Sequence, residues 1–186
     1  MRKLLILGGG TAGTMMLNKL SGALDPNDWQ ITVVDDSETH YYQPGFLFIP
    51  FGIYSVRDVV KPRRDFFPTG VNVVVSGIDR IDAEKNRVIL ENNVILPYDY
   101  LIIATGCKIH PEEVEGLVDE DFGKNKFEFY TAQGAETLRR FFKSWDGGRV
   151  VLNIAEMPIK CPVAPLEFLF LADSYFTELG IREKVD

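Results

Sequence analysis

Short apolar runs alternate with glycine turns and amphipathic stretches along this chain, the arrangement of an α/β protein. Residues 3–7 read as a short buried strand, and GGGTAG at 8–13 as the turn after it. Met16, Leu17, Leu20 and Leu24 then recur at the spacing of one helix face, which Pro26 and Asn27 bring to an end. A β-branched run at 31–34 follows and ends at Asp35, completing a strand–helix–strand unit in about 35 residues. Residues 39–54, THYYQPGFLFIPFGIY, are rich in aromatics, and Pro44, Gly45, Pro50 and Gly52 exclude regular structure there. Strands are predicted at 71–75, 78–82, 87–90 and 94–96, a meander inserted as a crossover, with Asn92 and Asn93 as a hairpin turn. Residues 100–104 form a further buried strand, closed by Thr105 and Gly106. Thr131 caps a predicted helix that carries Leu138, Phe141, Phe142 and Trp145 and is stopped by Gly147 and Gly148. Residues 150–154 read as another buried strand, 158–165 as a proline-rich turn around Cys161, and 166–179 as an apolar helix before Gly180. The Phe and Leu stripe from Leu166 to Phe176 reads as domain core. The chain has no internal repeat and no low-complexity segment.

Charge narrows the functional classes. The 186 residues carry a formal net charge of −7, and their Lys and Arg form no block of the kind that binds nucleic acid. The basic residues among 61–67 are interrupted by Asp65 and aromatics and read as a solvated helix face. No apolar run approaches the roughly 20 residues of a membrane helix. The opening MRKLLILGGG is not read as a signal peptide, because its apolar stretch at 4–7 is shorter than the roughly 7–15 residues such a region needs. His40 and His110 stand apart from other ligating residues, so no metal site is expected. Two cysteines, Cys107 and Cys161, are too few for a disulfide scaffold.

Candidate chemistry begins at the first turn. Gly8, Gly10 and Gly13 form a glycine fingerprint, with Thr11 and Ala12 between its last two glycines, a buried strand before it and an amphipathic helix after it. Such glycines permit a tight turn and bring backbone close to a pyrophosphate, at a helix N-terminus that attracts negative charge. Asp35, at the end of the next strand, is placed to accept a hydrogen bond from a ribose hydroxyl. The plainer reading is a glycine turn in some other α/β protein. YDYLIIATG at 98–106 supplies a parallel strand whose Thr105-Gly106 end lets the chain pass close to the same dinucleotide.

Together the two motifs resemble the FAD domain of the flavoproteins with two dinucleotide-binding domains, which include glutathione reductase, type II NADH dehydrogenases and sulfide:quinone oxidoreductases. The resemblance implies a Rossmann-like FAD-binding domain with the β-meander inserted, over residues 1–130, and the start of a second Rossmann-like domain over 131–186. Members bind FAD in the first domain and often NAD(P)H in the second. An NAD(P)H-binding member would carry a second glycine fingerprint after 150–154. Here the sequence is AEMPIKCPVAPLE at 155–167, with Pro158, Pro162 and Pro165 and no glycine. Cys161 follows Lys160 and precedes a predicted helix, and both the ammonium and the helix dipole favour negative charge on its sulfur.

The spacing from Cys161 to Glu167 and the segment YQPGFLFIPFG are similar to the sulfide:quinone oxidoreductase family. There the equivalent cysteine forms a persulfide or polysulfide bridge near the flavin. The resemblance therefore implies Cys161 as a redox cysteine and Glu167 as an acid/base group, with the loop that holds Pro44 lining the approach to the flavin. Glu167 equally suits a simple electrostatic role at a helix N-terminus, and Cys161 a small buried apolar residue. Cys107 suits a structural position, or a disulfide with Cys161. A third cysteine common in the family is missing from 128–136. The resemblance also implies sulfide and a quinone as partners, a peripheral membrane or cytoplasmic location and a possible homo-oligomer. The chain reads as an N-terminal half, whose partner cysteine and quinone pocket belong to a C-terminal half. The flavoprotein subunit of flavocytochrome c sulfide dehydrogenase, a type II NADH dehydrogenase and a non-catalytic flavin-binding module are the alternatives.

Overall fold

In the computed structural model, which describes residues 1–186, the predicted strand–helix–strand unit is present as β1 (Arg2–Leu7), α1 (Thr11–Ala23) and β2 (Trp29–Asp35). β3 (Thr39–Tyr41) pairs antiparallel with β4 (Val60–Pro62), and the short α2 (Val56–Val59) leads into β4. β5 (Asn72–Val75), β6 (Ile78–Asp82), β7 (Arg87–Leu90), β8 (Ile95–Pro97) and β9 (Tyr100–Ile103) follow. Two longer helices, α3 (Ala132–Ser144) and α4 (Ala164–Glu178), complete the chain. Its contacts divide it into two units, Met1–Tyr41 with Val60–Lys108 and Tyr42–Val59 with Ile109–Asp186. The sequence reading draws its line between residues 130 and 131.

The first unit is built on a parallel sheet in the order β5-β2-β1-β9. β1 is apolar at every position from Leu4 to Leu7 because both of its faces are covered. Leu4 and Ile6 point one way, into a cluster with Leu17 of α1 and with Ile31 and Val33 of β2. Leu5 and Leu7 point the other way, against Val34 and against Val88 and Leu90 of β7. The antiparallel sheet β6-β7-β8 thus covers the face opposite α1. Its hairpin turns where expected, with Asn93 at φ 64°. The meander is one strand shorter than predicted. β5 leaves it and lies parallel to β2, because Val73 and Val74 extend the first sheet beyond β2.

The second unit packs around aromatic rings. Leu47 and Phe51 join Leu138 and Phe142 of α3 and Phe168, Ala172 and Phe176 of α4. Phe142 meets Phe176 edge-on at 5.2 Å, and Phe129 stacks on Phe168 at 4.7 Å. Three expectations change here. The aromatic segment does hold regular structure, a 3₁₀ turn at Gln43–Phe48, since Pro44 sits in its first turn, where no N–H is needed. Residues 150–154 form no strand: the only ladder nearby is a single bridge between Gly148 and Val185, and Val151 and Ile154 are exposed. The stripe on α4 is core only at Phe168, Ala172 and Phe176, while Leu166, Leu169 and Phe170 are exposed. No helix is long and apolar enough to cross a membrane.

Candidate functional site

The three fingerprint glycines meet three different surroundings in the first unit. Gly8 has φ +92°, and a Cβ on it would stand 2.3 Å from the Ala104 carbonyl oxygen at the end of β9. The N–H of Gly8 donates to the Val34 carbonyl (2.7 Å) and that of Ala104 to the Leu7 carbonyl (2.7 Å), which ties the turn to both neighbouring strands. A Cβ on Gly13 would stand 1.8 Å from the Gly8 carbonyl oxygen, so α1 can sit this close to the turn only with glycine there. Gly10 differs, since a Cβ on it would meet nothing within 4 Å. It is the N-cap residue of α1 and offers no side chain to the helix N-terminus that Thr11 and Ala12 begin. Gly106, just after Thr105, has φ +72° and also faces open space.

Asp35 lies at the end of β2 beside this turn. Its carboxylate accepts the N–H of Gly9 (2.6 Å) and the N–H of Ser37 (3.0 Å), and it forms an ion pair with Arg63. Arg63 is only 6% exposed, which corrects the expectation of a solvated helix face at 61–67. A 3₁₀ turn, Arg63–Phe66, starts immediately after β4 and sends the side chain inward. Nη2 donates to the Thr39 carbonyl (2.6 Å), and the aliphatic stem lies where a Cβ on Gly9 would be, 3.0 Å from Cδ. Nε is buried with no hydrogen-bond partner. Burial holds the guanidinium below the ordinary arginine pKa.

The sulfur region belongs to the second unit. Cys161 and Cys107 are both exposed free thiols, so Cys161 is not the small buried residue of the plainer reading, and no disulfide joins the two. Cys161 has φ +54°, a left-handed conformation that costs a side-chain-bearing residue about 1–3 kcal/mol. Its carbonyl accepts the N–H of Ala164 (3.1 Å) as α4 begins. The neighbouring Lys160 ammonium donates to Gln43 Oε1, beside Pro44 in the 3₁₀ turn. Glu167 is in the first turn of α4, exposed, and makes no hydrogen bond or ion pair with Cys161. Tyr130, which no sequence motif marks, has a buried hydroxyl without a partner. Burial, and secondarily the negative charge of a Cys161 thiolate, push its phenol above the ordinary value.

Residues 2–151 match the pyridine nucleotide-disulphide oxidoreductase family. The chain belongs to that family. The members are FAD-binding flavoproteins. The chain is 34% identical over 185 residues to a mitochondrial sulfide:quinone oxidoreductase of Dictyostelium discoideum, a match covering 98% of this chain and 40% of that protein. It is 29% identical over 122 residues to a type II NADH:quinone oxidoreductase of Staphylococcus aureus, covering 65% of this chain and 30% of the relative. The structure of the sulfide:quinone oxidoreductase from Aquifex aeolicus has the same fold, with a TM-score of 0.78 at 22% identity over 100% of this chain and 42% of that one. The chain therefore spans less than half the length of the sulfide:quinone oxidoreductases it matches.

The residues of this pyridine nucleotide-disulphide oxidoreductase chain fit FAD. The open space at Gly10 and the helix N-terminus without a side-chain cap suit a pyrophosphate. Asp35, at the end of β2 with its carboxylate on the Gly9 N–H, stands where the ribose of the same dinucleotide would lie. Sequence reasoning found the glycines, Asp35 and the Thr105-Gly106 turn, and missed Arg63 and Tyr130. A lone charge in a mixed run carries no periodic signal of burial, and a tyrosine among aromatics looks like core.

Proposed function

We propose that this chain carries the FAD-binding and sulfide-handling part of a sulfide:quinone oxidoreductase. One observation carries the reading: Cys161, an exposed free thiol, is held in a left-handed conformation just before α4. The similarity to the Dictyostelium discoideum enzyme covers 98% of the chain, which takes in both Cys161 and Glu167.

In this reading hydrogen sulfide and the Cys161 thiol join through a new sulfur–sulfur bond. Forming the persulfide breaks an S–H bond on each partner and releases two electrons and two protons. FAD held at the glycine turn would supply the two-electron acceptor for this step, with a quinone as the final acceptor. Glu167, in the first turn of α4, takes up a proton from sulfide. In this reading the quinone is met at a membrane surface.

Stopped-flow spectroscopy of the FAD-loaded protein tests this. Sulfide should bleach the flavin and millimolar NADH should not. Cys161→Ser should keep its FAD and lose reduction by sulfide. Glu167→Gln should be slower, with a changed pH profile. A wild-type rate in Cys161→Ser overturns the reading. The type II NADH:quinone oxidoreductase likeness supports a second reading, and bleaching by NADH at a rate comparable with sulfide would favour it. A flavin that neither donor bleaches would mark a binding module.

A further inference from the structure

We propose that Gln43 is a positioning residue for Cys161, the fixed anchor to which Lys160, the residue before the cysteine, is tied. The proposal rests on the sulfide reading of Cys161. Little holds the chain that leads to this sulfur. Residues 151–160 form no helix or strand, and all of them are exposed except Leu152 and Ile159, which are half-buried. The flanking backbone is tied, by the Val150 N–H to the Asp186 carbonyl (2.9 Å) and by the Ala164 N–H to the Cys161 carbonyl (3.1 Å). Within the stretch the one hydrogen bond is that of the Lys160 ammonium to Gln43 Oε1, across 117 positions of sequence.

The far end of that bond is rigid. Gln43 opens the 3₁₀ turn, and the ring of Pro44 fixes the backbone beside it. Gly45, Phe46 and Leu47 of the same turn are buried, and a Cβ on Gly45 would stand 2.4 Å from Val59. Leu47 belongs to the aromatic core. A segment without a ladder samples many arrangements, and each would carry the sulfur to a different place. The left-handed backbone of Cys161, φ +54°, persists only where its surroundings determine it. On the C-terminal side α4 does so. On the N-terminal side the hydrogen bond from Lys160 to Gln43 is the restraint, placed one residue from the cysteine. Both side chains are exposed, so the bond is worth only about a three- to fivefold shift between held and loose arrangements.

The experiment is a double-mutant cycle in the full 186-residue chain, with Gln43→Leu, Lys160→Met and the two together. Thermolysin cleavage within residues 151–159, located by mass spectrometry, reads how loosely the stretch is held. Stopped-flow bleaching of the flavin by sulfide reads the reaction, and FAD titration and thermal melts serve as controls. Each single variant should melt like wild type, keep its FAD and be cut about three- to fivefold faster. Its limiting bleaching rate should fall by a similar factor, with the half-saturating sulfide concentration unchanged. The double variant should be no worse than either single one, because all three lack the same bond. Gln43→Glu, whose carboxylate also accepts the ammonium, should restore both readings. Gln43→Ser replaces the leucine variant if that one melts early. Unchanged cleavage, or losses that add in the double variant, overturn the proposal. So does loss of FAD in Gln43→Leu, which would make Gln43 a flavin contact, or a raised half-saturating sulfide concentration at a constant limiting rate, which would make Lys160 a binding group. A wild-type flavin that sulfide does not bleach overturns the sulfide reading itself, and cleavage still decides whether Gln43 holds Cys161.

Discussion

A leucine placed at Gly10 has room in the protein alone, because nothing lies within 4 Å of where its Cβ would be and the backbone there, φ −70°, suits any residue. Gly10→Leu should therefore melt like wild type and bind no FAD, since its side chain occupies the approach to the pyrophosphate. Gly13→Ala should do the reverse in the fold. Its Cβ would stand 1.8 Å from the Gly8 carbonyl, so the backbone must shift, at a cost of about 1–3 kcal/mol. Urea denaturation beside FAD titration checks both, and retained stoichiometric FAD in Gly10→Leu would remove pyrophosphate binding from this turn. At this scale the sequence was legible where backbone geometry demands one residue type, as at Gly8 and Gly13. It was not legible at Arg63. The pattern KPRRDFF holds two adjacent arginines, and only the turn after β4 decides that Arg63 points inward while Arg64 is exposed.

Among the elements, α3 shows how a helix start is specified. Thr131 Oγ1 accepts the Gly134 N–H at 2.9 Å, and the Glu128 carboxylate accepts the N–H groups of Tyr130 and Thr131. Thr131→Ala removes a cap and leaves part of that carboxylate's network unmade. It should lower stability by about 0.5–2 kcal/mol in urea denaturation. FAD affinity should not change, because the cap belongs to the second unit and the glycine turn to the first. The cap and the buried face of Leu138 and Phe142 were readable from spacing alone, but the helix ends at Ser144 with Trp145 already extended, before the glycines expected to stop it. The strand assignments were less secure. β5 reads like the meander strands that follow it, and only the neighbour it pairs with reveals that it extends the parallel sheet. Residues 150–154 have the apolar character of a strand, yet a strand is defined by its ladder, and one bridge at Gly148 does not make one.

For the molecule as a whole, the aromatic core of the second unit draws Leu47 and Phe51 from a segment that lies between two parts of the first. The fragment 109–186, which lacks both, should fail to give a cooperative thermal transition by circular dichroism. Adding residues 42–59 as a separate peptide should restore helix signal, and a cooperative melt of the fragment alone would show that Phe142, Phe168 and Phe176 suffice. Periodicity could not have found this division, because it reports on single elements and not on which distant segments share a core.

The same interleaving fixes an order of events during synthesis. Phe51 leaves the ribosome roughly 90 residues before Phe142 and roughly 125 before Phe176, its core neighbours. At about 5–20 residues per second the wait is between about 5 and 25 s. Through that interval the aromatic run from Phe46 to Phe51 is a nascent apolar segment without its core, the kind of transiently exposed surface that chaperones exist to shelter.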